Sequence, residues 1–253
     1  MKGMPIVLQS DLGDILHSRG FLIVAIIIGV LAVGAAVGVP IALNGWLATG
    51  LAWEEAKPLL ELLMGLAVNY MPLIVLFTCM STWATDPIAK EKARGPVESL
   101  LATPLTARAV WIGKSLAIFL PAYIIGLITT LIIILAMNFA SILPATGHFV
   151  LPLPEALTSF LFLPLLMFAL LSLGILFSLI TNPVIGQTIV IFIGVILLQV
   201  VGQVGGRIWW LLASWDYALY NLAGAALLGI IAFYFSRSLS KERIILSSKG
   251  KWA

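Results

Sequence analysis

Charge is what this sequence has least of. Only 10% of its 253 residues are Asp, Glu, Lys or Arg, while 61% are hydrophobic. A soluble globular domain carries roughly 25% charged residues. A water-soluble fold of this length would need a polar surface that the chain cannot supply, whereas a bilayer accepts apolar side chains facing outward. The length suits one domain, with no second soluble domain hidden in it. Cysteine is represented once, by Cys79 inside an apolar run. An internal disulfide is therefore excluded, and Cys79 reads as a small buried hydrophobe. The two histidines, His17 and His148, both lie outside the long apolar runs. That removes bis-His haem ligation and most metalloprotease sites, and with them a haem anchor or membrane enzyme of that kind. No Gly-x-x-x-x-Gly-Lys-Ser/Thr loop is present, so the chain has no such cradle for nucleotide phosphates. No internal repeat is visible, which argues against inverted-repeat secondary transporters.

What is present in quantity is apolar sequence in long runs. A spanning helix needs about 20 mostly apolar residues, because ~30 Å of hydrocarbon is crossed at ~1.5 Å per residue. Six runs qualify: 21–43, 59–84, 113–137, 157–180, 184–204 and 219–235. The expected fold is an all-α integral membrane protein with six transmembrane helices. The first run follows twenty residues that include Asp11 and Asp14 and lacks a clear cleavage site, so it reads as a span and not a signal peptide.

The basic residues orient the bundle. With the N-terminus inside, twelve of the fourteen Lys and Arg fall on the inner side and only Lys57 and Arg207 on the outer. The acidic residues split almost evenly, with Glu54, Glu55, Glu61, Glu155 and Asp216 assigned outside. A bias confined to Lys and Arg is the positive-inside signature, and it places both termini in the cytoplasm. The basic pI near 9.1 is thereby explained by topology and implies no nucleic acid. Residues 1–20 interleave Ile6, Leu8, Leu12, Ile15 and Leu16 with Gln9, Asp11, Asp14, His17 and Arg19, as an interfacial amphipathic helix does. Residues 236–253 form a basic tail. The stretch 203–220, with Gly205, Gly206, Arg207 and several Trp, is too polar for a span and too apolar for a free loop. It reads as a re-entrant or interfacial element before the last span. Residues 138–156, with three prolines, read as an irregular outer connection.

Inside the runs there is little to ionise. Glu61 lies at an outer end, and a midplane charge, which usually marks an ion or proton path, is missing; that speaks against a proton-coupled carrier. Asn69, Tyr70, Thr78, Thr129, Gln187 and Gln199 are the candidates to line a translocation path, although such residues commonly serve as helix–helix hydrogen bonds. Pro40, Pro72, Pro121 and Pro164 each free a backbone carbonyl within a run and permit a kink.

The longest inner loop, 85–107, parses by helix punctuation. Asp86 caps a helix with Pro87 at its first position, and Gly95 ends it. Pro96 starts a second short helix with Glu98 in its first turn; Thr103-Pro104 stops it, and Thr106 caps the helix that becomes the third span. Val97, Leu100 and Leu101 share one side of the short helix, an apolar stripe that needs either the membrane surface or a groove on a partner protein.

The run Glu91-Lys-Ala-Arg-Gly-Pro-Val-Glu-Ser-Leu-Leu-Ala-Thr-Pro resembles the signature that follows the second span in type-2 permeases of ATP-binding-cassette (ABC) transporters. Glu91, Arg94, Gly95, Glu98, Leu100, Leu101, Thr103 and Pro104 match that pattern; Pro96 stands where the family usually has Thr or Ser. The likeness extends to the six-span plan, the amphipathic helix before it and the element before the last span. It implies that the segment around Val97 is a coupling helix seated in a cleft of a separate ATPase subunit. Two membrane chains, identical or not, and two ATPase chains would form the working unit. ATP and Mg would sit on the ATPase, leaving this chain non-catalytic and free of cofactors. It further implies an exporter in a cell membrane, of prokaryotic type. The apolar path that these runs would line suits a hydrophobic or amphipathic substrate: a lipid, a drug-like molecule or a peptide. A subunit that transmits motion or anchors a complex without moving a solute would look the same in sequence, and a secondary transporter is the other alternative.

Overall fold

A computed structural model describes residues 4–47, 53–83, 105–151, 153–180, 188, 191–196, 215–242 and 244. The described residues are helical almost throughout, with no strand among them. A first helix, α1 (Met4–Leu16), is followed by five long ones: α2 (Arg19–Leu47), α3 (Trp53–Trp83), α4 (Ala107–Thr146), α5 (Leu153–Ile180) and α6 (Trp215–Ser236). All five are long and apolar enough to cross a membrane. Of the fifth expected span, 184–204, only 188 and 191–196 are described, and both are helical. The coupling loop up to residue 104, Gln187, Gln199, the stretch 203–214 and most of the basic tail lie outside the described residues.

Local chemistry explains the helix ends. Ser18 opens α2 by accepting from the Phe21 amide at 3.1 Å. Thr106 caps α4, its hydroxyl accepting from the Ala109 amide at 3.2 Å, at the position where the sequence puts a cap. Gly147 closes α4 in the left-handed conformation (φ 73°), with its amide bonded to the Leu143 carbonyl at 2.9 Å.

Antiparallel packing brings the α2 start to the α3 end, where the Phe21 and Trp83 rings lie 5.3 Å apart. The α4 start reaches the α6 end, where Arg108 Nε donates to the Ser236 carbonyl at 3.4 Å. At the opposite end, Trp53 stacks on His148 at 4.4 Å. Burial is uneven: 67% of the most apolar stretch of α5 is buried but only 17% of that of α2, so α5 is an inner helix and α2 turns a broad apolar face outward.

The expected irregular connection at 138–156 is shorter than the sequence suggests. α4 continues through a π-helical turn, Asn138–Ile142, into Leu143–Thr146, and α5 begins at Leu153. Asn138 makes this possible. Its amide donates to the Ile134 and Val150 carbonyls at 3.0 and 3.1 Å, and its oxygen accepts from the Val150 amide at 2.8 Å, pinning the connection to the helix. A second π turn, Thr158–Phe162, lies inside α5. Such turns are rare and recur at functional sites.

Candidate functional site

The prolines in α3 and α5 show how the bundle handles polar backbone. Pro72 has no N–H for the Val68 carbonyl four residues earlier, and the Ser159 hydroxyl of α5 donates to it instead. Pro164 likewise frees the Phe160 carbonyl, and the Tyr123 hydroxyl of α4 donates to it at 2.8 Å. Each kink is therefore closed by a donor from another helix, as an apolar environment demands.

Of the residues expected to line a path, Thr129 is satisfied within its own helix: its Oγ1 donates to the Ile125 and Gly126 carbonyls at 3.0 Å. Thr78 is half-buried, and its carbonyl accepts from Ser81 and Thr82 at 3.0 and 2.7 Å. Tyr70 is half-buried against the apolar core. Asn69 differs. It is fully buried, and its amide donates to the Gly65 carbonyl at 2.9 Å, but its oxygen has no partner among the described residues. The coupling-helix candidates Glu91, Arg94, Gly95, Val97, Glu98, Leu100, Leu101, Thr103 and Pro104 are outside the described residues, as are Gln187 and Gln199.

The structure adds a residue that sequence reasoning put in the wrong place. Glu155, assigned to an outer loop, is completely buried against α3, and neither carboxyl oxygen has a hydrogen-bond partner among the described residues. Its carboxyl lies directly over Gly65, where a Cβ would approach its Cδ to 2.8 Å. Any side chain at 65 would have to push that carboxyl aside. The spacing of 65 and 69 sets Asn69 one turn on along the same side of α3, and the spacing of 155 and 159 does the same for Ser159 on α5. Two helix sides thus meet with Glu155 at Gly65 and Ser159 at Val68. Along α3 the sequence 57, 61, 65, 69 forms one ladder: Lys57 and Glu61, 3.9 Å apart and partly exposed, then Gly65 and Asn69. Gly65 lies six residues from the Leu59 end of the second apolar run, about 9 Å at 1.5 Å per residue. Glu155 thus brings a buried ionisable group into a helix long enough to span, contrary to the expectation that the spans carry almost none, and a proton-coupled carrier is no longer disfavoured on that ground. The signal was an acid two residues before an apolar run and a glycine in the facing one; neither is decisive alone.

At the opposite end a second buried charge is paired. Lys114 of α4 (4% exposed) meets Asp11 of α1 at 3.0 Å, and Val7 of α1 packs on Gly113, where a Cβ would come within 3.0 Å. α1 is thus docked on the first turns of α4, next to the segment that joins α3 to α4.

Apolar grooves open on the flanks of the described helices. One, of about 470 Å³, lies among α4, α5 and α6 and is walled by Trp111, Phe168, Ser172, Ala225 and Gly229, with Trp111 Nε1 bonded to the Ser172 carbonyl at 2.7 Å. Another, of about 420 Å³, lies between α2 and α3 around Gly38, Trp46 and Leu63. No cluster of His, Cys, Asp and Glu able to hold a metal ion occurs among the described residues. Comparison with protein-family models, with curated proteins and with solved structures finds no match to this chain.

Proposed function

We propose that this chain is the membrane-spanning permease subunit of an ABC transporter, exporting a hydrophobic or amphipathic substrate on ATP hydrolysed by a separate chain. The observation that carries the reading is the motif from Glu91 to Pro104, which joins α3 to α4. The docking of α1 beside that junction supports it, since motion received there passes both to a spanning helix and to an interfacial one. The largely apolar groove walls suit an apolar substrate. In this reading the working unit is two membrane chains and two ATPases in a cell membrane, with both termini cytoplasmic. Closure of the ATPase pair moves the coupling helices, and the spans respond as near-rigid bodies.

Co-expression with the ABC ATPase encoded nearest to this chain tests the reading. The native chain is expected to co-purify with the ATPase and alter its ATP hydrolysis rate, whereas Glu98→Arg combined with Leu101→Asp releases it. If no ATPase associates, or the double variant binds equally well, the reading is lost. A second reading, a proton-coupled secondary transporter, is favoured by one observation, the buried Glu155. It predicts transport that persists without any ATPase and collapses when the proton gradient is dissipated.

A further inference from the structure

Glu155 presents a chemical problem. An ionised carboxylate removed from water needs a cation or several donors. The described residues around this one offer acceptors instead: the Asn69 oxygen is itself unpartnered, the Gly65 carbonyl already accepts from Asn69, and the Val68 carbonyl from Ser159. Two other elements pack on the segment Leu153–Leu157. From α3 come Glu61, Lys57 and Tyr70; from the first turn of α6 come Asp216 and Tyr217. Glu61, which acts on Glu155 electrostatically, carries the same sign. Lys57 is the only cation among these groups, and it lies two turns from Gly65 with its head group directed at Glu61.

We propose that Glu155 is a proton-binding site, carried as the neutral acid while α5 is packed on α3. The acid O–H supplies a donor of the kind that the Asn69 oxygen lacks among the described residues, and a proton is the one cation that needs no cavity. Release is a simple ionisation: the O–H bond breaks, the proton passes to water, and the carboxylate keeps the electron pair. It requires α5 to part from α3 far enough for water to reach the group, so proton occupancy and closure of this interface are linked. The inference concerns this chain alone and stands whether or not an ATPase is its partner.

Infrared difference spectroscopy of the full chain in nanodiscs of phosphatidylethanolamine and phosphatidylglycerol tests it. At pH 7 the native protein is expected to show a carboxylic-acid carbonyl band. That band is lost in Glu155→Gln, retained in Glu61→Gln and slow to shift in D2O. An absent band, a band that survives Glu155→Gln, or one that shifts at once in D2O overturns the proposal. So does a band that disappears when sodium replaces choline, which would mark a metal-cation site. Should Glu155→Gln fail to fold, Gly65→Ala serves instead: its methyl group must displace the carboxyl and move the band, and an unmoved band again overturns the proposal.

Discussion

Among the described residues two charged side chains are buried, one toward each end, and the protein treats them oppositely. Lys114 is held by Asp11 at 3.0 Å, while Glu155, fully buried, is given a glycine to lie against and no partner among the described residues. A paired buried charge fixes geometry, because losing either member strands the other. An unpaired one is tolerated only if it can become neutral. The Lys114 end is therefore built to hold α1 in place, and the Glu155 end to change state.

The contrast can be broken most severely at its paired end. Asp11→Ala leaves Lys114 without that carboxylate and should destabilise the protein by about 3 kcal/mol, read as a lowered unfolding temperature in detergent; Lys114→Met in the same chain should recover most of the loss. If Asp11→Ala alone is neutral, the pair is ornamental and the contrast fails. At the unpaired end, Gly65→Ala drives a methyl group into the carboxyl and should cost about 2 kcal/mol, an overpacking penalty relieved by adding Glu155→Ala. A smaller effect sharpens the picture between the two ends. Ser159→Ala strands the Val68 carbonyl, at a cost of about 1 kcal/mol. Pro72→Ala in that background restores a backbone N–H four residues after Val68 and should return part of the stability. A Pro72→Ala rescue equal in the presence of Ser159 would show that the hydroxyl was never the substitute donor.

Much of the architecture was legible because the bilayer imposes long periods of apolar sequence. The runs at 21–43, 113–137, 157–180 and 219–235 each fall within a helix, as does 59–83 of the second run. Thr106 and the prolines were readable too, since capping and the missing N–H are local chemistry. Where the donors for the freed carbonyls come from was not readable: Ser159 and Tyr123 lie 91 and 37 residues from their acceptors. Asn69 was singled out among the polar residues but Glu155 was not, because an acid beside Pro154 at the edge of an apolar run looks like loop. Only the π turn, which no composition rule announces, carries it into the bundle.

That turn has a consequence for register. A π turn is an α-helix carrying one residue too many, and at 3.6 residues per turn one residue is worth about 100° of rotation. Thr158–Phe162 therefore works as a vernier between Leu153–Leu157 and Leu163–Ile180. The long segment sets its own face against the core, and the short one is indexed separately against α3. Deleting a single residue from 158–162 would leave the core face of Leu163–Ile180 where it is and swing Glu155 a quarter-turn off Gly65. The position of this buried acid is a matter of counting by one.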